Sequence, residues 1–192
     1  AITRPPLPAV AQREWVRRPL DRFVLAHLER SGFAPALAAN RRTLIRRATL
    51  DLHGLLPSVA EVKDFLADHQ PGAFSRLLDR LLTSPRYGQR WGRRWLDVVR
   101  YADSNGFEFD FVRPHAWHYR DYVIQAFNDD KPYDQFVMEQ IAGDAIGDGT
   151  GTGFLVAGPK DLVKSQDENL TKMQRQDELA DYINATGTTF LG

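Results

Sequence analysis

The chain contains no cysteine among its 192 residues, and this absence excludes several kinds of site at once. Without thiols there are no disulfides, thiolate zinc sites, cysteine nucleophiles or covalent c-type haem attachment within these residues. A long hydrophobic run is also missing. No stretch approaches the ~20 apolar residues that a transmembrane helix requires, so membrane insertion is not expected.

The chain also lacks a net charge. Its 25 lysines and arginines balance its 25 aspartates and glutamates, so the formal net charge at pH 7 is zero. A neutral chain offers no general electrostatic attraction to nucleic acid or acidic membranes, and we expect no nucleic-acid partner. The hydrophobic fraction of 43% is sufficient for a real core and argues against disorder.

No alternating strand pattern of useful length is present, whereas apolar residues recur at helical spacing along most of the chain. The pattern predicts an all-α fold, a compact orthogonal domain of about eight helices joined by long irregular connections. The proline-rich residues 1–18 are predicted to form an extended linker, and residues 19–192 a single helical domain. The predicted helices span about 19–31, 41–53, 58–66, 73–82, 88–102, 116–127, 131–141 and 167–190.

Two of these helices have informative local patterns. Ser58 followed by Glu61 is a capping-box signature at the start of the third helix. In the fifth helix, Trp91 and Trp95 lie one turn apart on an apolar stripe, which predicts that both are core residues.

The segment 103–121 contains the densest group of residue types that carry chemistry. Its candidate catalytic residues, which could act as acid and base, are Asp103, Glu108, Asp110 and His115. Its candidate binding residues are Arg113, Trp117, His118 and Arg120. No metal site is predicted, because the order of an EF-hand loop fails and two histidines without a third ligand are weak evidence.

A structural interpretation of the same segment is favoured over a catalytic one. The acids would pair with arginines, and Phe107, Phe109 and Phe111 would anchor the segment in the core. The glycine-rich run 147–153 is predicted to be a mobile loop, because it lacks the Gly-Lys-Ser/Thr ending of a phosphate-binding loop and no strand precedes it.

Several long motifs carry a family resemblance. They are RRTLIRRATLDL (41–52), RWGRRWLD (90–97), RYADS (100–104), YRDYVI (119–124), NDDKPYDQF (128–136) and QIAGD (140–144). In these motifs, and from about residue 19 to residue 192, the chain resembles the planctomycete cytochrome-associated domain of unknown function.

The resemblance implies an exported protein, periplasmic or on the cell surface, in which a haem c domain precedes this domain and a second uncharacterised domain follows it. Those neighbouring domains would be its partners. Family members usually have a Cys-x-x-Cys-His segment shortly after the counterpart of residues 186–192, so this chain is expected to be truncated before a haem-attachment segment. We expect no cofactor in this chain itself and haem c in the parent protein.

Three functions remain open at this point. The favoured one is a non-catalytic structural or docking module of an exported cytochrome c-type redox protein. The second is a carbohydrate-active or other hydrolytic domain that uses the 103–121 segment. The third is a protein interaction scaffold.

Overall fold

The structure is a computed structural model, and it describes residues 3–162 and 166–192. In this part of the chain eight α-helices form, and no strand is present apart from one isolated bridge between Ser104 and Val112. The predicted all-α fold and the predicted number of helices are therefore confirmed. The helices are α1 Pro19–Arg30, α2 Arg41–His53, α3 Val59–Ala67, α4 Ala73–Leu82, α5 Pro85–Val98, α6 Trp117–Asn128, α7 Tyr133–Ile146 and α8 Glu168–Phe190.

The chain divides into two compact units, residues 1–40 and 41–192. In the first unit, the extended proline-rich segment leads through a short 3-10 helix, Arg13–Trp15, into α1. The carboxylate of Glu29 on α1 accepts hydrogen bonds from the backbone N–H groups of Ala11 and Gln12 at 3.0 and 3.2 Å. These bonds hold the segment before α1 against the helix.

The first core of the second unit lies among α2, α3 and α4. It consists of the buried residues Ile45, Phe65, Ala73, Leu77 and Leu81. The predicted capping box at the start of α3 is confirmed. Ser58 N–H donates to the Glu61 carboxylate at 2.7 Å, and Glu61 N–H donates to Ser58 Oγ at 3.3 Å. The sequence thus fixes where α3 begins by pairing backbone donors that the helix leaves unbonded.

The second core is formed by α5, α6, α7 and a 3-10 helix, Gly151–Val156. Its buried residues are Leu96, Val99, Tyr119, Val123, Ala126, Phe136, Phe154 and Ala157. Helix α7 contains one residue with non-helical dihedral angles, Ala142, and ends at Gly147 in the left-handed conformation.

Helix α5 buries a different face from the one predicted. Its fully buried positions are Gly88, Gly92 and Leu96, and Trp91 and Trp95 are only half-buried. Trp95 still packs against the second core, 4.9 Å from the Phe136 ring centre, whereas Trp91 is not part of that core. The prediction that both tryptophans are core residues is therefore wrong for Trp91, because the two glycines bring the backbone of α6 onto α5 instead.

The glycine-rich run is part of this second core as well. Gly151 is buried, and a Cβ atom there would lie 2.5 Å from the Glu139 carbonyl oxygen. A Cβ atom on Gly153 would lie 2.8 Å from Tyr119 Cβ. Gly151 and Gly153 therefore serve close packing of the 3-10 helix on α6 and α7, whereas Gly147 and Gly149 have no atom within 4 Å of a Cβ position. Only the first part of the run is the open loop that the sequence predicts.

The end of α6 provides a test of backbone strain. Asp130 adopts φ = 49°, and Lys131 N–H closes the helix by donating to the Ala126 carbonyl at 2.9 Å. A non-glycine residue pays a conformational penalty at this position. We expect Asp130→Gly to increase the free energy of unfolding by about 0.5–1 kcal/mol in urea denaturation.

The matched control is Gly147→Ala at the end of α7. Its φ is 92° and no atom lies within 4 Å of the added Cβ, so only backbone strain changes. We expect this variant to lose about 1 kcal/mol. A loss of stability in Asp130→Gly would contradict the strain assignment.

Candidate functional site

The segment between α5 and α6 begins with a sharp reversal of the chain. Arg100 adopts φ = 57°, and Tyr101 N–H donates to the Leu96 carbonyl at 2.9 Å, which ends the helix. Residues 103–113 then fold back on themselves. Asn105 N–H donates to the Phe111 carbonyl at 3.0 Å and Arg113 N–H to the Asp103 carbonyl at 2.7 Å. We call residues 103–113 the hairpin.

The tip of the hairpin is fixed by polar contacts. Asp110 accepts a hydrogen bond from Gly106 N–H at 2.7 Å. Hydrogen bonds from the Ser104 side chain and from Gly106 N–H hold the pKa of Asp110 below its usual range. The Asp110 carboxylate therefore stays ionised and acts as a brace across the turn.

The three phenylalanines of the hairpin are exposed, and their predicted role as core anchors is wrong. Phe107, Phe109 and Phe111 have exposed fractions of 64%, 50% and 62%. The rings of Phe109 and Phe111 stack on each other with centres 6.1 Å apart. Their alternation in the sequence is compatible with burial on one side, but in the part of the chain that the structure describes they remain exposed.

Arg113 is the residue that anchors the hairpin. Its Nε donates to Asn105 Oδ1 at 2.8 Å within the hairpin. Its guanidinium group also donates to three successive backbone carbonyls, those of Val156, Ala157 and Gly158, at 3.1, 3.2 and 2.7 Å. One side chain therefore ties the hairpin to the segment that follows the 3-10 helix.

A cleft of about 770 Å³ lies beside this anchor. Its walls are the base of the hairpin, the first turn of α6, residues 149–160 and the middle of α8. Its polar and charged lining residues include Arg100, Asn105, Arg113, Lys160, Glu178 and Asp181. We call it the α6–α8 cleft. Its volume falls in the range of small-molecule and cofactor sites.

The structure brings only some of the candidate residues to this cleft. Arg113, His115 and His118 line it, whereas Asp103, Glu108, Asp110, Trp117 and Arg120 are not among its lining residues. The three candidate acids thus lie outside the cleft that His115 borders.

The candidates outside the cleft have other contacts. Asp103 accepts a hydrogen bond from the Tyr101 hydroxyl at 2.5 Å and lies 3.9 Å from the Arg120 guanidinium. Arg120 also pairs with Asp121 at 3.0 Å. Trp117 stacks on His118 with ring centres 3.7 Å apart. The expected pairing of an acid with an arginine is found for Asp103.

The rings of His115 and His118 stack on each other. Their ring centres are 6.2 Å apart, and the rings are nearly parallel. In residues 3–162 and 166–192, no group of three or more His, Asp or Glu side chains is arranged to hold a metal ion. Two stacked imidazoles at this separation offer an aromatic surface at the mouth of the cleft.

The tyrosines near the cleft stay protonated. Tyr119 is buried, and its hydroxyl donates to Gln140 Oε1 at 2.6 Å while Trp95 Nε1–H donates to the same oxygen at 2.9 Å. Burial raises the pKa of Tyr119 well above its usual range. Burial, reinforced by the hydrogen bond to Asp103, likewise raises the pKa of Tyr101. Neither hydroxyl is prepared to act as a base near neutral pH.

Sequence reasoning missed an ion pair in the lining of the cleft. Arg100 makes a bidentate pair with Asp181 of α8, with N–O distances of 2.7 and 2.8 Å. The two residues are 81 positions apart, so no local spacing indicates the contact.

None of the helices in the described part of the chain is both long and apolar enough to cross a membrane.

The searches of curated proteins and of solved structures found no match. Residues 19–192 match the family model PSCyt2, whose description is a protein of unknown function (DUF1549). Because this match covers far more than half of the chain, the protein belongs to the PSCyt2 family.

Proposed function

We propose that this protein is a non-catalytic docking module of an exported cytochrome c-type redox protein. In this proposal the α6–α8 cleft receives a segment of the neighbouring, haem-bearing part of the same polypeptide. Haem c belongs to that neighbouring part, since the present chain has no cysteine to attach it.

The observation that carries the proposal is a large cleft whose charged side chains are fastened in structural contacts. Arg113 is held by four neutral acceptors and Arg100 by Asp181. Catalysis by acid and base requires two titratable groups that converge on one reacting atom. Histidines line the cleft, but the candidate acids lie outside the lining, and the two acids within it, Glu178 and Asp181, are paired with Arg175 and Arg100. Such a surface suits recognition better than reaction.

The family resemblance supports the choice of partner. The resemblance implies a haem c domain before the present domain and a further domain after it, so a docking surface would have a covalently linked partner. A linked partner is present at a high effective concentration, and a cleft of modest affinity therefore suffices.

The test is site-specific photo-crosslinking in the longer polypeptide. A photoreactive amino acid replaces Val156, which is 63% exposed and lines the cleft. We expect crosslinks from this position to peptides outside residues 1–192, identified by mass spectrometry. The control position is Lys63, an exposed residue of α3 that does not line the cleft. It should give few such crosslinks.

Two results would contradict the proposal. One is a crosslinking pattern in which position 156 reacts only within residues 1–192. The other is turnover of a glycoside or ester substrate by the purified protein that is lost in Asp103→Asn, which would favour the hydrolytic alternative.

A further inference from the structure

Two guanidinium groups meet at Gly158, on the wall of the α6–α8 cleft. Arg113 Nη2 donates to the Gly158 carbonyl at 2.7 Å. A Cβ atom on Gly158 would lie 3.4 Å from Arg100 Nη2 and 3.5 Å from Asp181 Oδ2. The glycine therefore sits between two arginines, with one carboxylate beside it.

That carboxylate already has a partner. Asp181 is engaged by both terminal nitrogens of Arg100. The Arg113 side chain donates to the neutral oxygens of Asn105 and of three backbone carbonyls. In the described part of the chain no carboxylate lies within 4 Å of the Arg113 guanidinium, so its charge has no direct counter-ion.

The remaining charges of the cleft do not supply one. Glu178 pairs with Arg175 at 2.5 Å. That hydrogen bond from Arg175 is the main cause of the lowered pKa of Glu178, and the nearby Lys160 charge acts in the same direction. Three cations, Arg100, Arg113 and Lys160, and two carboxylates, Glu178 and Asp181, line the cleft, in a chain whose net charge is zero. The cleft is thus a local concentration of positive charge.

Apolar groups lie beside these cations. The lining includes Val112, Pro114, Val156 and Pro159, and the Val112 and Val156 side chains are exposed to solvent. A ligand that fills this cleft would contact apolar side chains on one part of its surface and Arg113 on another. Because the Arg113 donors are largely taken by four neutral acceptors, Arg113 would attract a carboxylate chiefly by its charge and not as a free bidentate fork.

We infer that the α6–α8 cleft binds a carboxylate attached to an apolar group, with Arg113 as the principal cation and Lys160 as a second one on the rim. The source of this carboxylate rests on the proposed docking function. It is an acidic side chain, flanked by apolar ones, in the docked segment. The anion site itself can be tested separately from that source.

The probe is benzoate, titrated into the 192-residue chain and followed by two-dimensional NMR of the backbone amides. We expect saturable shifts confined to cleft residues such as Gly153, Gly158 and Ala185. Benzamide, which has the same shape without the charge, should give much weaker shifts, and acetate should bind more weakly than benzoate. Equal shifts with benzamide, or shifts scattered over the surface, would overturn the inference.

Lys160→Gln removes the rim charge while keeping the backbone N–H that donates to the Asn105 carbonyl. We expect it to weaken benzoate binding by about two- to five-fold, the range for one exposed charge pair. The matched control, Lys63→Gln, should leave binding unchanged. Unchanged binding in Lys160→Gln would contradict the role of the rim.

Arg113→Gln is expected to reduce benzoate binding by about ten-fold or more, since it removes the guanidinium that, among the described residues lining the cleft, has no carboxylate partner. Arg113→Lys, which keeps the charge, should retain part of the affinity even if the hairpin loosens. Equal losses in both variants would show that Arg113 acts only as an anchor.

The longer polypeptide separates this inference from the docking proposal. If the docked segment occupies the cleft, benzoate should bind the 192-residue chain. In the longer protein the docked segment should block the cleft, so benzoate should bind much more weakly. Binding to both would support the anion site and contradict docking at this cleft. Binding to neither would overturn the anion site, and the crosslinking experiment would still decide docking.

Discussion

Replacing Gly88 with alanine is expected to reduce the free energy of unfolding by about 2–4 kcal/mol, although alanine is the better helix former. The added Cβ atom would lie 2.4 Å from the Ile124 carbonyl oxygen and 2.5 Å from Asn128 Oδ1. Both atoms belong to α6, so α5 and α6 must move apart. The separation would also weaken the hydrogen bond from Gly88 N–H to Asn128, now 2.8 Å long.

The matched control for Gly88→Ala is Gly187→Ala in α8. No atom lies within 4 Å of a Cβ atom at this helical position. The substitution should therefore increase stability by up to about 1 kcal/mol, through helix propensity alone. Guanidinium denaturation of both variants provides the measurement. A Gly88→Ala protein as stable as the wild type would show that α5 and α6 do not pack as closely as described.

Replacing Glu139 with alanine is expected to destabilise the protein by about 3–5 kcal/mol, the usual result of removing one partner from a buried ion pair. Glu139 is 5% exposed, and its carboxylate accepts hydrogen bonds from Lys131, Tyr122 and Gln135. The Lys131 ammonium, itself largely buried, would lose its counter-ion. Glu139→Gln keeps the shape of the side chain and should have a smaller effect.

The same site predicts a dependence of stability on pH. Burial by itself raises the pKa of Glu139, but the hydrogen bonds from Lys131, Tyr122 and Gln135 outweigh burial and hold the pKa below its usual range. A folded-state pKa below the unfolded value means that ionised Glu139 stabilises the fold at neutral pH. This contribution is lost as the pH falls from about 4.3, the usual glutamate value, through the folded-state pKa.

The difference in unfolding free energy between the wild type and Glu139→Gln isolates this contribution from that of other carboxylates. We expect the difference to be largest near pH 7 and to shrink steadily below about pH 4.3. Urea denaturation at a series of pH values measures it. A difference that stays constant from pH 7 down to pH 3 would mean that folding does not lower the pKa of Glu139.

Local signals were sufficient for the helices and insufficient for their buried faces. The apolar periodicity, with the capping box at Ser58, placed α1, α3 and α4 to within a residue or two. In α5 the two tryptophans give the strongest apolar signal, so the sequence predicts burial of the face that carries Trp91 and Trp95. The structure instead buries the face that carries Gly88, Gly92 and Leu96. The glycines at 88 and 92 carry no hydrophobic signal, yet their lack of a side chain decides which face meets α6.

The candidate site shows the same division. The sequence singled out Arg113, His115 and His118, which line the cleft, because the residue types of segment 103–121 are unusual in their density. The sequence could not predict where the acids lie, because the hairpin that contains them leaves Glu108 and the three phenylalanines exposed to solvent. Residues that complete the cleft, such as Lys160 and Asp181, lie in segments without any distinctive local pattern.

By itself, the sequence determined the all-helical class, the approximate helix boundaries and the family, because each depends on neighbouring residues along the chain. Only the tertiary structure decided which face of α5 is buried, that the glycine-rich run packs under α6 and α7, and that Arg100 and Arg113 meet at Gly158. These features depend on the distance of closest approach between backbones and on ion pairs between distant segments. Such contacts form only when the helices have packed, so they leave no periodic signal in the order of the residues.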